Sequence, residues 1–326
     1  KALSTVTGKS QPPASGSDPV STAEAPDAPS LDEWLKGRTV LTVSQDNRGQ
    51  YRTIQAALEA LKPGQAIQIL DRGPYREQLN NRELPPNTGL FSTSRTIIDC
   101  PAWQDAYKEP SDAAGVESQV HGGHILEQPR GFRLHGLEWR FPPRGAGTFQ
   151  PLIMVGVQNL VIEECVFRAT NGDDVQFVNL TNQLVPSPAA ARIVVRDCVF
   201  ETQLWLNSRG ENSRFLIERN LFVGSSHVGT VVIADSRTSR VVVRHNVFKS
   251  QSGVPMLTMA RPLACEHLEI VNNTFDNLAA MQFVGPCPSE GFVAIRNNVH
   301  TGSAWLVVVT DDIKDSALSY LGKQRL

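Results

Sequence analysis

A nine-residue pattern recurs along this chain and ends each time on an aromatic residue. Asn159-Leu-Val-Ile-Glu-Glu-Cys-Val-Phe167 is followed by Arg192-Ile-Val-Val-Arg-Asp-Cys-Val-Phe200 and Arg214-Phe-Leu-Ile-Glu-Arg-Asn-Leu-Phe222. Arg240-Val-Val-Val-Arg-His-Asn-Val-Phe248 and His267-Leu-Glu-Ile-Val-Asn-Asn-Thr-Phe275 continue the series, and looser copies end at Trp139 and His300. The anchors are separated by 28, 33, 22, 26, 27 and 25 residues. Unequal spacing does not fit a helical repeat of fixed length. It fits coils whose strands align while their loops vary, which is the signature of a solenoid.

The positions inside the repeat sort into columns. Phe132, Leu160, Ile193, Phe215, Val241, Leu268 and Val293 form one apolar column, and Leu134, Ile162, Val195, Ile217, Val243, Ile270 and Ile295 form a second. Parallel strands stack about 4.8 Å apart, so each column becomes a ladder along the solenoid axis. A further column reads Leu137, Cys165, Cys198, Asn220, Asn246, Asn273, Asn298. Stacked Asn side chains at a corner bond one another and the turn backbone, and the cysteines become small buried occupants of that corner. Between the second apolar column and the corner column stand Glu163, Arg196, Glu218 and Arg244, read as an exposed ladder of alternating charge worth about 0–1 kcal/mol per pair. A second strand follows in each coil, at residues 175–179, 204–207, 230–235, 256–260, 281–284 and 305–309. The pattern predicts an all-β protein, a right-handed parallel β-helix solenoid of about nine coils.

The rest of the chain arranges itself around this core. Residues 1–30 contain six Ser, five Pro, five Ala and no aromatic residue. That composition predicts a disordered linker to something upstream. Residues 31–326 read as a single domain: a cap at 31–64, coils at 66–310 and a cover at 311–326. In the cap, Leu41 and Val43 suit a short strand. Ile54, Ala57, Leu58 and Leu61 follow helical spacing after Thr53 as N-cap, and Pro63-Gly64 ends the helix. A helix laid across the open end of a solenoid would cover its exposed core.

Composition narrows the partners. The formal net charge is −2, with 31 basic and 33 acidic residues mixed along the chain. A nucleic-acid binder needs a basic face to displace counterions, so no nucleic-acid partner is expected. No apolar run reaches the roughly 18 residues of a membrane span, so no membrane insertion by this segment is expected. The five cysteines offer no zinc spacing, and neither a metal nor a cofactor is expected. Cys265 and Cys287 precede first strands on consecutive coils, where a disulfide would be within reach. Such a bond would place the chain outside the cytoplasm.

The opening Leu41-Thr-Val-Ser-Gln-Asp-Asn-Arg-Gly-Gln-Tyr-Arg-Thr-Ile-Gln-Ala-Ala-Leu58, with Pro63-Gly64 and Ile67-Gln-Ile-Leu-Asp-Arg-Gly-Pro-Tyr-Arg-Glu77, resembles the start of pectin methylesterases and related pectin lyase-like β-helix proteins. With the repeats, the resemblance spans about residues 39–310. It implies the cap helix and the first coil. A similar opening also resembles β-helix modules joined by linkers to bacterial serine/threonine protein kinases, although no kinase signature stands in this chain. The superfamily includes esterases, lyases, hydrolases and non-catalytic modules, so the resemblance implies a fold and leaves the chemistry open.

The residues offer several candidates for chemistry. Asn171-Gly172-Asp173-Asp174 supplies a carboxylate pair, as in polygalacturonase-like enzymes, with His227 the nearest downstream histidine. Two adjacent carboxylates serve as acid and base when their surroundings split their pKa values. The Gly-His-Gly and Arg-x-Lys of those enzymes are absent, as is the catalytic Asp segment of pectin methylesterases, and the pair also reads as turn chemistry. A candidate ligand strip runs along the ends of the second strands: Asn179, Asn207, Arg209, Asp235 and Arg237. Its amides and guanidiniums suit sugar hydroxyls or a uronate carboxylate; the other reading is a solvated corner of mutual salt bridges. His121-Gly-Gly-His124 lacks a third ligand and reads as an ordinary loop. Trp205 and Trp305 would stack on sugars if outward, and core packing is the preferred reading. Together these readings favour a non-catalytic module that binds polysaccharide or a protein partner, as an accessory or sensor part of a larger protein. The alternative is a carbohydrate-active enzyme, a hydrolase, lyase or esterase, on an acidic polysaccharide.

Overall fold

A computed structural model describes residues 28–81, 83–100, 121–141, 149–169, 176–181, 190–208, 212–224, 231–234, 238–250, 256–260, 265–276, 279–284, 291–301 and 305–309. Two sheets account for almost all of them, one of seventeen strands and one of nine. Each strand pairs in parallel with its equivalent one coil away, and the winding is that of a right-handed parallel β-helix. The regular part makes about seven turns. The nine rungs of the second sheet include Asn80–Asn81, only two residues long, and the terminal strand Trp305–Val309, so the end coils are partial.

The apolar columns are in the expected register. Leu160 pairs with Ile193, then Phe215, Val241, Leu268 and Val293. All are buried. The anchors stack face to face, with ring centroids 6.5 Å apart for Trp139 and Phe167 and 4.7–5.1 Å apart from Phe167 through Phe275. A stack of this kind fixes register, because a slip of one residue would turn every ring out of the core.

The corner between the two strand directions of the first sheet is built from two adjacent positions. The first is left-handed in every coil: Gly136, Glu164, Asp197, Arg219, His245, Asn272 and Asn297 all have φ between 52° and 66°. Most side chains disfavour this region; Gly is free of the penalty, and Asn, Asp and His tolerate it best. The next position compensates. Asn220 donates its side-chain amide to the Val195 carbonyl (3.0 Å) and to Asn246 Oδ1 (3.0 Å), and that same Oδ1 accepts from the Asn220 backbone N–H (2.9 Å). Asn246 makes the same bonds to Asn273, and Asn273 to Asn298. At the lower end Cys198 N–H donates to Asn220 Oδ1, so the cysteine rungs join the ladder as buried thiols. Gly136 is the glycine of the series for a steric reason. A Cβ there would stand 2.0 Å from the Ser92 carbonyl oxygen.

Ahead of the coils, the strand Val40–Val43 pairs with Ala66–Ile69. The helix Ile54–Ala60 buries Ile54, Ala57 and Leu58. Thr53 caps it through Ala56 N–H, and both Glu77 carboxylate oxygens accept from the Ile54 and Gln55 amides at 2.8 Å. A second helix, Leu31–Leu35, was not expected. Ser30 and Glu33 form a reciprocal capping box at its start. Ser30 therefore does not belong to a linker. Residues 1–27 and 311–326 lie outside the described residues.

Candidate functional site

Two faces of the solenoid concentrate polar chemistry. The first is the outer face of the nine-stranded sheet. Its strands alternate: Val178 and Leu180, Leu204 and Leu206, Val231 and Ile233, and Leu257 and Met259 are buried inward. The intervening positions point outward and stack in register as Ile153, Asn179, Trp205, Val232, Thr258 and Gln282. Asn179, Trp205, Thr258 and Gln282 are half-buried there. Trp205 is thus an outward aromatic with a polar rung before it, not the core residue that the sequence favoured. Its place was legible in the alternation Gln203-Leu-Trp-Leu-Asn207, once the two leucines are assigned to the core.

The expected ligand strip is corrected in register. Asn207 pairs with Thr181 and Ala234, while Asn179 pairs with Ile153 and Trp205. The strand carrying Asn179 runs on to Thr181, so the two asparagines share a face but stand two residues apart along it. Arg209, Asp235 and Arg237 lie outside the described residues, as do Asp173, Asp174 and His227. By sequence, Asp173 and Asp174 stand immediately ahead of Gln176–Thr181, the strand that carries Asn179.

The second concentration is ionic and lies on the outer face of the first sheet. Glu163 is buried. Arg133 Nε donates to its Oε1 at 2.6 Å, Arg196 reaches Oε2 at 2.8 and 3.0 Å, and His135 Nδ1 stands 3.1 Å from Oε1. Burial pushes the carboxyl pKa up, but the bonds from His135 and Arg196 and the Arg133 charge prevail and bring it down to about 2. Glu218 is similarly buried and pairs with Arg244 at 2.7 Å and Arg219 at 2.8 Å. The charge ladder is therefore not made of exposed pairs. Removing one partner from such a cluster strands a buried charge, at a cost of about 3–5 kcal/mol rather than the fraction that a surface pair contributes. Sequence reading missed this because Arg133 and His135 lie a coil away from Glu163.

His121-Gly-Gly-His124 is part of the strand His121–Glu127 and not a loop. His124 is fully buried against Trp139 (T-shaped, 5.1 Å), and its Nδ1 accepts from Leu79 N–H at 3.1 Å. With Nδ1 an acceptor, the neutral ring carries its proton on Nε2. Burial drops its pKa to about 3. Among the described residues no group of three or more His, Cys, Asp or Glu is placed to hold a metal. None of the described helices is long and apolar enough to cross a membrane. Cys265 is buried, and Cys287 lies outside the described residues.

No family model matches the chain, and a search of curated proteins found no match. Among solved structures, pectin methylesterase PemA from Erwinia chrysanthemi is 13% identical, over 86% of this chain and 94% of that one, with a TM-score of 0.49. The pectin methylesterase from Aspergillus niger is 17% identical, over 90% and 96%, with a TM-score of 0.48. A GH136 lacto-N-biosidase from Eubacterium ramulus is 10% identical, over 83% and 67%, with a TM-score of 0.41. The fold assignment rests on the strand register above, and overlaps this slight say nothing of activity.

Proposed function

We propose that this chain is a non-catalytic β-helix module whose ligand is a polysaccharide laid along the outer face of the nine-stranded sheet. The observation that carries the reading is the position of Trp205: half-buried and outward, with Asn179 one rung before it and Asn207 two residues further along its own strand. An aromatic face packs against the apolar face of a sugar ring, and neighbouring amides supply donors and acceptors for its hydroxyls. Because a solenoid repeats its outward positions rung by rung, it suits an extended polymer better than a compact ligand. The resemblance of the opening to modules attached to bacterial serine/threonine kinases supports an accessory or sensor role in a larger protein, with a protein partner on the same module.

The test is titration with oligogalacturonides and neutral oligosaccharides, read by tryptophan fluorescence and by product release. Saturable binding without turnover is expected. Turnover abolished by Asp173→Asn or Asp174→Asn would establish the enzymatic alternative, and no binding to any glycan would remove the proposal.

A further inference from the structure

The outer face of the first sheet carries an apolar stripe that ought to be wet. Val194, Leu216 and Val242 are register partners on the strands Arg192–Arg196, Ser213–Glu218 and Thr238–Arg244, and they point away from the solenoid core. Yet they are only 2%, 2% and 1% exposed. Among the described residues, Ala28 and Val161 are the apolar groups packed on them.

Three carbonyls show how the chain reaches this stripe. Arg133 donates to Ser30 O (3.3 Å) and Pro29 O (2.9 Å), and Arg196, two coils further along, stands 3.5 Å from the oxygens of both Pro29 and Ala28. Both guanidiniums are held by the buried Glu163. Read backwards from Ser30 to Ala28, the backbone therefore climbs the axis from the coil of Arg133 to that of Arg196, toward Leu216 and Val242. The two rungs from Val194 to Val242 span about 10 Å, which about three extended residues cover.

Charge points the same way. Beside the stripe, Arg192, Arg214 and Arg240 stack as register partners, a column of like charge that needs anions near it. Arg240 reaches Glu269 at 3.1 Å; Arg192 and Arg214 have no ion-pair partner among the described residues. Upstream of Ala28 the sequence is Asp18-Pro-Val-Ser-Thr-Ala-Glu-Ala-Pro-Asp27, with three acids, no base and small apolar side chains at Val20, Ala23 and Ala25.

We propose that residues 24–27 continue this path as an extended strap, docked on the outer face of the first sheet in the groove formed by the apolar stripe and the arginine column. The occupant is the chain's own segment. Ala28 starts on the stripe, residues 27 and 26 pass Leu216 and Ala25 reaches Val242, while Asp27 and Glu24 face the arginine column. Arg133, Glu163 and Arg196 form the clasp that starts the strap on its course. The groove is thus a built recognition surface for a short extended peptide of small apolar and acidic residues.

The test is maleimide labelling of the L216C variant of the full chain, with the rate at position 216 followed by peptide mass spectrometry. V299C, at a position 54% exposed on the same sheet, gives the rate for an open site. Position 216 is expected to label about tenfold or more slowly than position 299, since access requires local opening. Replacing Ala25 and Pro26 together by Asp in the L216C chain should bring the two rates close together. Equal rates in the parent chain would show the face open, and continued protection in the doubly substituted chain would show that something else covers it; either result overturns the proposal. If L216C impairs folding, a benzophenone attached to the A25C variant decides. Photo-crosslinks within residues 192–244 support the strap, and crosslinks elsewhere overturn it.

Discussion

Asn246→Ala removes one rung of the corner ladder, and the structure says what each lost bond leaves behind. The Asn246 side chain is buried and takes part in four hydrogen bonds. It accepts from Asn220 N–H at 2.9 Å and from the Asn220 amide at 3.0 Å, and it donates to Ile217 O at 2.9 Å and Asn273 Oδ1 at 3.0 Å. Asn220 keeps its second amide bond to Val195 O, and Asn273 Oδ1 keeps the Asn246 backbone N–H. What remains without an acceptor is the buried Asn220 backbone N–H and one of its amide hydrogens. Each such orphan costs about 1–3 kcal/mol, so the substitution should destabilise by about 3–5 kcal/mol. Solenoids unfold by neighbouring repeats rather than always as one unit, so urea unfolding should be paired with amide exchange at Asn220. Loss of protection at that amide is the specific expectation. An unchanged exchange rate, or a loss of stability below about 1 kcal/mol, would show that the ladder does not hold the corner.

Other consequences follow from the core and from buried charge. Phe222→Ala opens the ring stack and should cost about 3–5 kcal/mol by urea unfolding, as a large-to-small core truncation. Gly136→Ala forces a Cβ toward the Ser92 carbonyl in a left-handed conformation, and a thermal melt should show a loss of about 3 kcal/mol or more. Acid should destabilise the protein in two windows. His124 has a folded pKa of about 3 against an ordinary 6.5; the unfolded chain takes up the proton first, so stability falls as pH drops from 6.5 toward 3, by up to about 5 kcal/mol. Glu163 is depressed from 4.5 to about 2, so its contribution is present above 4.5 and lost as pH falls through 2. His124→Gln should flatten the pH-dependence of unfolding between 6.5 and about 4.5 while leaving the lower window in place.

Much of the fold was legible because it repeats. Five copies ending in Phe expose register directly, and the Cys and Asn column announced its own corner. The left-handed residue ahead of it was partly hidden, because Glu164 and Arg219 carry no sign of positive φ, whereas Asn272 and Asn297 do. Ser30 was read into a linker because a Ser/Pro/Ala-rich composition outweighed one capping box. The candidate site was less legible. The strand read as ending at Asn179 runs two residues further, to Thr181, which shifted the pairing of Asn179 with Asn207, and outward Trp205 was settled only when both flanking leucines proved buried. The burial of Glu163 depended on residues about thirty positions away, and no local pattern shows such a contact.

The most direct test of the polysaccharide reading is calorimetric titration of the full chain with an oligogalacturonide, repeated with Trp205→Ala and with Lys249→Ala on the other sheet. If the ligand lies along the outer face of the nine-stranded sheet, Trp205→Ala weakens binding by about tenfold, or 1.4 kcal/mol, with the melting temperature little changed, and Lys249→Ala binds as the parent does. Equal affinity for the parent and Trp205→Ala would contradict the placement of the site.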